Sequence, residues 1–444
     1  MERPPDVVLI HCHDLGRFLS CYGAPAIPSP SLHALAERSV VFDNAFATAP
    51  LCTPARSSLF TGLSPHVNGL MGLAHAGWRY RRSVATMPEL MSGLGYDTAL
   101  IGLQHEHPNP MVLGFDEVHG AGFLPRAWPV ARETEAWLRN RRERSRPFLL
   151  TVGMWEVHRP WPAEDYTHAD PAAVEVPPYL PDNAHTREDL AAFYGAIRQL
   201  DAAVGHVIDA IDRHCDPDRT AVVFTTDHGA ALPRAKGTLY DPGVEVALIV
   251  RPPAAWGVPP GRRGQAVSHL DILPTLLEMA GGSAGPGHEG RSIVPDLRGA
   301  AGPRDRTLFL EKSFHDRYDP MRAVRTSKYK YIRNFTDGPA LVLAKDIEES
   351  PSRRGFGDGH LAPRPPVELY DLRKDPWEQL NIAAEPAMAE TVASLDDRLL
   401  RWMRETGDPL LDGPIPVPPR ASRLIDAQDD LPGRSDRSGT PHSM

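Results

Sequence analysis

Short apolar runs alternate with longer amphipathic segments along most of the chain. Residues 6–11 (DVVLIH) form a short β-rich run, apolar at its centre and bounded by Pro5 and a polar turn, as expected for a buried parallel strand. Apolar residues spaced by three and four positions predict helices elsewhere. Strands are predicted within 6–11, 98–103, 147–155, 220–229 and 245–251, and helices within 31–39, after Pro54, within 86–96 and over 187–213. This alternation indicates a doubly wound α/β sheet.

The pattern changes after about residue 310. Residues 328–335 (KYKYIRNF) and 367–372 (VELYDL) are typical of antiparallel strands, and residues 387–406 form one amphipathic pattern with helical spacing. We therefore predict a main domain at 1–310, a smaller C-terminal α+β subdomain at 311–420 and a disordered polar tail at 421–444.

Composition narrows the class of protein. The chain has 444 residues, 41% hydrophobic and 24% charged, which is typical of a globular protein with more than one core. A net charge of −9 without basic blocks argues against a nucleic-acid partner. No run of 18 apolar residues and no signal-peptide pattern is visible, so we expect no membrane association and a cytoplasmic location. The four cysteines are too few for a disulfide framework.

The most specific local pattern is Cys52-Thr53-Pro54-Ala55-Arg56, at the predicted start of a helix. A helix N-terminus carries partial positive charge and favours a bound anion. The segment resembles the C-x-P-x-R signature of the type I sulfatases. That resemblance implies that a formylglycine-generating enzyme oxidises Cys52 to formylglycine. It also implies that the hydrated aldehyde attacks sulfur through one hydroxyl. Arg56 is then expected to neutralise sulfate charge or hold the diol.

Two acidic-plus-imidazole pairs follow predicted strands: His13-Asp14 after the first and Asp227-His228 after a later one. Ligands of open α/β sheets collect at the carboxyl ends of strands, so both pairs can surround one cation beside Cys52. The layout is similar to the calcium site of sulfatases, with His13 in place of an aspartate. Carboxylates favour a hard ion and imidazole favours transition metals. We expect Ca²⁺ by a modest margin, with Mn²⁺ as the alternative.

Other positions resemble sulfatase motifs residue by residue. Gly102-Leu103-Gln104-His105 keeps the histidine of G-K-x-H but has Leu103 in place of the lysine. His158 and Arg159 match the end of H-D-P-H-R, and Lys236 lies in a segment similar to G-K-x-T-L-Y. The resemblance implies that His158 is a general acid and that His105 and Lys236 bind sulfate. Arg159 is expected to pair with an anionic group of the substrate.

The resemblance covers about two thirds of the chain, from Asp6 to Ala383. Residues 41–73 are most similar to the N-sulfoglucosamine sulfohydrolase (heparan N-sulfatase) branch of the sulfatases. The family's alkaline-phosphatase-like fold agrees with the alternation of strands and helices. The implied function is hydrolysis of sulfate esters or sulfamates of a small sulfated substrate, and the resemblance to this branch points to a sulfated amino sugar.

Two other functions fit the sequence. A phosphonate monoesterase or phosphodiesterase of the same superfamily would use a similar site, because tetrahedral phosphoryl and sulfuryl groups resemble each other. A non-catalytic relic that binds sulfated sugars is favoured slightly by Leu103. The intact Cys52 motif argues against that relic, as do Asp227, His158 and Lys236.

Overall fold

Buried apolar strands form the centre of the protein. The computed structural model describes residues 4–120, 124–141, 145–299 and 306–418. Strand β1 is enclosed by parallel neighbours on both sides, which explains the apolar run of residues 7–10 at its centre. The strands are β1 (Asp6–Cys12), β2 (Val40–Phe46), β3 (Asp97–Gly102), β4 (Glu117–His119), β5 (Phe148–Gly153), β6 (Thr220–Thr226), β7 (Leu248–Arg251), β8 (Gly261–Ser268), β9 (Leu308–Phe314), β10 (Tyr318–Arg325), β11 (Tyr329–Asn334) and β12 (Val367–Asp371).

The larger sheet has the strand order β4-β3-β5-β1-β6-β7-β2-β8. Strand β7 is antiparallel to its neighbours β6 and β2, whereas the other described pairs of this sheet are parallel. Strands β1, β2, β3, β5 and β6 therefore end at the same edge of the sheet. The predicted doubly wound α/β fold is confirmed.

Helices cover both faces of this sheet. The α-helices are α1 (Pro30–Glu37), α2 (Cys52–Thr61), α3 (Pro65–Asn68), α4 (Met87–Gly93), α5 (Ala127–Asn140), α6 (Ala184–His214), α7 (Asp241–Val244), α8 (Ile272–Met279), α9 (Val294–Leu297), α10 (Lys345–Glu348), α11 (Pro351–Phe356) and α12 (Ala389–Thr406). Val8 and Ile10 of β1 pack on one face with α1, α5 and α6, whereas Val7 and Leu9 pack on the other with α2, α4 and α8.

A separate antiparallel sheet, in the order β12-β11-β10-β9, forms the C-terminal part. Its Val324 and Leu369 contribute to a core with Leu399 and Met403 of α12. Ala323 and Ile332 contribute instead to a core shared with the segment 239–244 of the main part. The small sheet therefore lies between α12 and the loop that follows β6, where it can complete a site at the edge of the larger sheet.

The predicted elements recur with small shifts at their ends. The helix expected after Pro54 begins at Cys52 itself, so the cysteine is its first residue. The predicted tail at 421–444 lies outside the described residues. All four cysteines are free. Among the described helices, none is both long enough and apolar enough to cross a membrane.

A buried ion cluster connects the small sheet to the end of α12. Arg322 is 0% exposed and donates to both carboxylate oxygens of Asp408, at 2.5 and 3.0 Å. Its Nε also lies 3.3 Å from Glu311, which accepts a hydrogen bond from the His66 backbone at 2.8 Å. Removal of one member of such a cluster leaves a buried charge without compensation.

We predict that Asp408→Ala lowers the free energy of unfolding by about 3–5 kcal/mol, because the Arg322 guanidinium stays buried without its bidentate partner. Urea denaturation measures the change. Asp412→Ala, an exposed position in the same segment, is the matched control and should unfold as wild type. Equal midpoints for the two variants would contradict the role given to the cluster.

Candidate active site

Cys52 occupies the first turn of α2, at the edge where the parallel strands end. Leu51 precedes it in an extended conformation, and every residue of α2 is buried. The Cys52 side chain is 2% exposed, and its Sγ lies 3.4 Å from Nε2 of His228. Burial raises the pKa of the Cys52 thiol well above its ordinary value. The N-terminus of α2 and the Cys52 thiol therefore lie beside the carboxyl ends of the parallel strands.

The residues after β1 and β6 meet at this point. Nδ1 of His13 lies 3.0 Å from Oδ1 of Asp14 and 3.2 Å from Oδ2 of Asp227. Nε2 of His228 lies 3.3 Å from Oδ1 of Asp14. Ligand atoms of these four residues and of Cys52 all lie within 4.8 Å of one another. The structure thus brings together the five residues that the sequence predicted as metal ligands.

Local backbone geometry fixes this cluster. Asp14 has φ +52°, a left-handed conformation that is uncommon outside glycine and that occurs at functional sites. Its amide donates to Oδ1 of Asp227 at 2.9 Å, and the amide of His228 donates to the same oxygen at 2.9 Å. Oδ2 of Asp227 is left facing the cluster.

His228 has the orientation expected of a metal ligand. Its Nδ1 lies 2.9 Å from the carbonyl of Gly229, so Nδ1 carries the proton and donates. The lone pair of Nε2 then points towards Cys52 and Asp14. A histidine that binds a metal commonly has its other nitrogen fixed in this way by a carbonyl. The donor set of two carboxylates, two imidazoles and the position of Cys52 fits one divalent cation.

Arg56 lies directly behind the cluster. It is 0% exposed and donates to Oδ2 of Asp227 at 3.1 Å, to the Cys12 carbonyl at 2.9 Å and to Nδ1 of His11 at 2.7 Å. The sequence predicted that Arg56 contacts sulfate or the diol. Its guanidinium holds the Asp227 carboxylate and thereby orients it, whereas its Nε has no partner among the described residues, so contact with sulfate or the diol stays a prediction.

Lys236 is a buried cation between two carboxylates. Its Nζ donates to Oδ2 of Asp14 and to Oδ2 of Asp346, both at 2.8 Å, and lies 3.4 Å from Nε2 of His158. Burial alone would lower the pKa of Lys236, but Asp14 and Asp346 outweigh it and the pKa lies well above its ordinary value. Lys236 is therefore a fixed positive charge beside Asp14.

His158 lies between the buried cluster and solvent. Its ring packs against His13 and Trp155, with centroids 4.7 and 4.3 Å apart. Nδ1 donates to the Arg159 carbonyl at 2.6 Å, so Nε2 is the nitrogen that faces the site. Burial and Lys236 lower the pKa of His158, and the nearby aspartates act in the opposite direction.

The ring of His105 packs near that of His13, with centroids 5.7 Å apart. Thr53 of α2 donates to the His105 carbonyl at 2.6 Å, which connects this loop to the start of the helix. Leu103, where the similar sulfatase motif has lysine, is an apolar side chain only 2% exposed. The side chain at this position therefore supplies no positive charge to the site.

Arg159 has a different role from the one expected. The sequence predicted contact with an anionic substrate group, but both of its terminal nitrogens donate to Asp189 of α6, at 2.8 and 2.5 Å. Its Nε donates to the Ala231 carbonyl at 2.8 Å. A carboxylate of the protein already occupies the forked face that a substrate anion would need, so Arg159 connects α6 to the loop after β6.

The comparisons with known proteins agree with this geometry. The sequence model of the sulfatase family matches residues 5–283. The chain belongs to the sulfatase family. It is therefore a sulfuric ester hydrolase, as predicted. The chain is 30% identical to human (Homo sapiens) N-sulphoglucosamine sulphohydrolase, over 93% of this chain and 92% of that protein. It is 29% identical to an ulvan-active sulfatase of Formosa agariphila, over 98% and 87%.

Solved structures support the fold. A Bacteroides fragilis protein described as a candidate sulfatase has a TM-score of 0.76 at 20% identity, with 94% of this sulfatase and 99% of that chain covered. The phosphonate monoester hydrolase of Agrobacterium radiobacter has a TM-score of 0.69 at 20% identity, with 90% and 96% covered. At these identities the likeness establishes the alkaline-phosphatase-like architecture and does not separate a sulfuryl from a phosphoryl substrate.

Proposed function

We propose that this sulfatase hydrolyses the sulfate esters or sulfamates of small sulfated sugars, with Cys52 as the nucleophilic position after its conversion to formylglycine. The observation that carries the proposal is the meeting of Cys52 Sγ with Nε2 of His228, 3.4 Å away, among two buried carboxylates at the sheet edge. A cysteine that is buried only for packing behaves as a small hydrophobic residue and is not expected among such polar neighbours.

Formylglycine at position 52 supplies a hydrated aldehyde, which can attack sulfur with one hydroxyl and release sulfate when the carbonyl re-forms. The chain's own contribution is to hold that carbon at the first turn of α2, where helix N–H groups favour an anion. A formylglycine-generating enzyme is the partner that this chemistry requires.

A divalent cation is the second component that we propose. Asp14, Asp227, His13 and His228 would hold it, together with the modified Cys52. When bound, the cation supplies positive charge to the sulfuryl oxygens in the transition state. The aspartates alone favour Ca²⁺, which was the expectation from sequence. The nitrogens of His13 and His228 lie in the same cluster, and imidazole ligands favour transition metals, which makes Mn²⁺ the alternative. We propose Ca²⁺ as the preferred ion, because the carboxylates and the sulfuryl oxygens dominate the donor set.

Lys236 and His158 act on the substrate side of this cluster. Lys236 is positioned to balance sulfate charge, and His105, whose ring packs near that of His13, is a second sulfate-binding candidate. His158 presents Nε2, from which a protonated imidazole can give its proton to the departing oxygen or nitrogen. A bound sulfate adds negative charge next to His158 and favours that protonated form.

The proposal that the substrate is a sulfated sugar rests on the relatives of this chain. One relative is named N-sulphoglucosamine sulphohydrolase and another ulvan-active sulfatase, and both names refer to sulfated carbohydrates. We propose that a sulfamate or sulfate of an amino sugar is hydrolysed faster than a simple aryl sulfate of equal leaving-group quality.

We predict that Cys52→Ala abolishes hydrolysis but folds normally, because it removes the nucleophile without opening a large cavity. Mass spectrometry of the Cys52 peptide should show the aldehyde in active protein. N-sulfoglucosamine, an aryl sulfate and a phosphonate monoester are compared as substrates. Turnover near wild type by Cys52→Ala would overturn the mechanism, and preference for the phosphonate monoester would favour the phosphonate hydrolase alternative.

We predict that His158→Ala lowers kcat and kcat/KM together, by about 10²–10⁴-fold for a poor leaving group, because general acid catalysis is lost. For a good leaving group, such as nitrophenolate, the loss should be much smaller. Steady-state kinetics on the two substrates measure the difference. The exposed His33→Ala serves as control. Equal losses on both substrates would contradict an acid role.

We predict that metal-free protein regains both thermal stability and activity with Ca²⁺ more effectively than with Mn²⁺, because oxygen ligands dominate the site and a ligand that binds the folded state stabilises it. His13→Asp replaces a nitrogen by oxygen and should strengthen the preference for Ca²⁺. Thermal unfolding and activity are followed during titration with each ion. Full activity after exhaustive chelation, with no metal found by elemental analysis, would exclude the cation site.

A further inference from the structure

Asp346 enters the site from the C-terminal part of the chain, in a segment that no sulfatase motif of the sequence includes. It belongs to the short helix α10, whose Ile347 is 0% exposed and packs with Leu343 and Tyr240. The amide of Lys345 donates to Oδ2 of Asp316 at 2.9 Å. These contacts fix the segment, so the Asp346 carboxylate has a defined position.

The contacts of Asp346 place it on the solvent side of Lys236. Its Oδ2 accepts from Lys236 Nζ at 2.8 Å and lies 3.8 Å from Nε2 of His158. The Asp346 side chain is 20% exposed and that of His158 is 19%, whereas Lys236 is 1% and Asp14 is 0% exposed. A leaving group that takes a proton from His158 on its way to solvent therefore passes Asp346.

The charge of Asp346 decides what it can bind. A carboxylate only accepts hydrogen bonds when ionised, and it repels the oxygens of a sulfate. Lys236 helps hold the pKa of Asp346 down, to about 2, so the carboxylate is ionised at neutral pH. Among the described residues, none donates to Oδ1 of Asp346. This oxygen is available to a donor of the departing group.

We propose that Asp346 is a specificity residue that selects substrates whose leaving group carries nitrogen, and that it pairs with the ammonium of the amino-sugar product. The inference rests on the proposed function. When a sulfamate is cleaved, a hydroxyl oxygen of the hydrated formylglycine would form a bond to sulfur and lose its proton to a carboxylate of the cluster. The N–S bond breaks with its electron pair on nitrogen, and the proton of His158 Nε2 goes to that nitrogen. The resulting amine takes a second proton from solvent, and the ammonium lies beside Asp346.

The test uses Asp346→Asn, which keeps an oxygen acceptor for Lys236 but removes the charge. We expect kcat/KM for N-sulfoglucosamine to fall by about 10- to 100-fold, the usual loss for a hydrogen bond to a charged group. The value for glucose 6-sulfate, whose leaving alcohol is also poor but carries no nitrogen, should be unchanged or higher. Glu349→Gln, an exposed position next to α10 with the same change of charge, is the matched control. Equal losses on both substrates would reduce Asp346 to a support for Lys236 and overturn the inference.

A second measurement does not depend on turnover. Calorimetric titration of the full chain with glucosamine and with glucose compares sugars that differ by the amine alone. We expect wild type to bind glucosamine about tenfold more tightly than glucose, through a charge-assisted hydrogen bond, and Asp346→Asn to bind both alike. A preference for glucosamine without hydrolysis of any sulfated substrate would defeat the proposed function and leave the inference standing. Hydrolysis of a sulfated substrate without a preference for glucosamine would support the proposed function and overturn the inference about Asp346.

Discussion

The parallel register of β1 with its two neighbours is the constraint on which the site depends. Cys12 lies opposite Thr226 of β6, so the two residue pairs that follow these strands emerge side by side. On the other side, His11 lies opposite Gly153 of β5, whose continuation leads to His158. A slip of one residue would turn alternate side chains to the other face and separate the ligands. Ordinary backbone hydrogen bonds therefore determine the distances among groups that carry the chemistry.

Charges buried at this edge are tolerated because each has a partner of opposite sign. Asp227 faces Arg56, and Asp14 faces Lys236, which also contacts Asp346. Isolated ions in such surroundings would cost several kcal/mol each. The same pairing keeps the two central carboxylates ionised and ready to bind a cation. These ion pairs thus contribute both to the stability of the fold and to the readiness of the site for a cation, and a change to any one of these residues alters both.

Local patterns in the sequence were sufficient for the sheet and for the ligands that directly follow strands, because strand ends in an open α/β sheet share an edge. Cys52 was recognisable from its motif. The partner of Arg159 was not, because Asp189 lies thirty positions along the chain on a helix. Asp346 was also missed, since a single acidic residue in a short amphipathic segment carries no local sign of where it docks. Contacts between residues far apart in the sequence place both Asp189 and Asp346.

The burial of Cys52 determines whether another enzyme can modify this residue before or after the chain folds. A thiol that is 2% exposed at the base of a helix cannot enter the active site of another enzyme once the chain has folded. Any enzymatic change at this position belongs to the period in which α2 is still unpacked. Residues that complete the site, such as Asp346, are synthesised well after Cys52. A ribosome therefore exposes the cysteine segment well before the polypeptide can close over it.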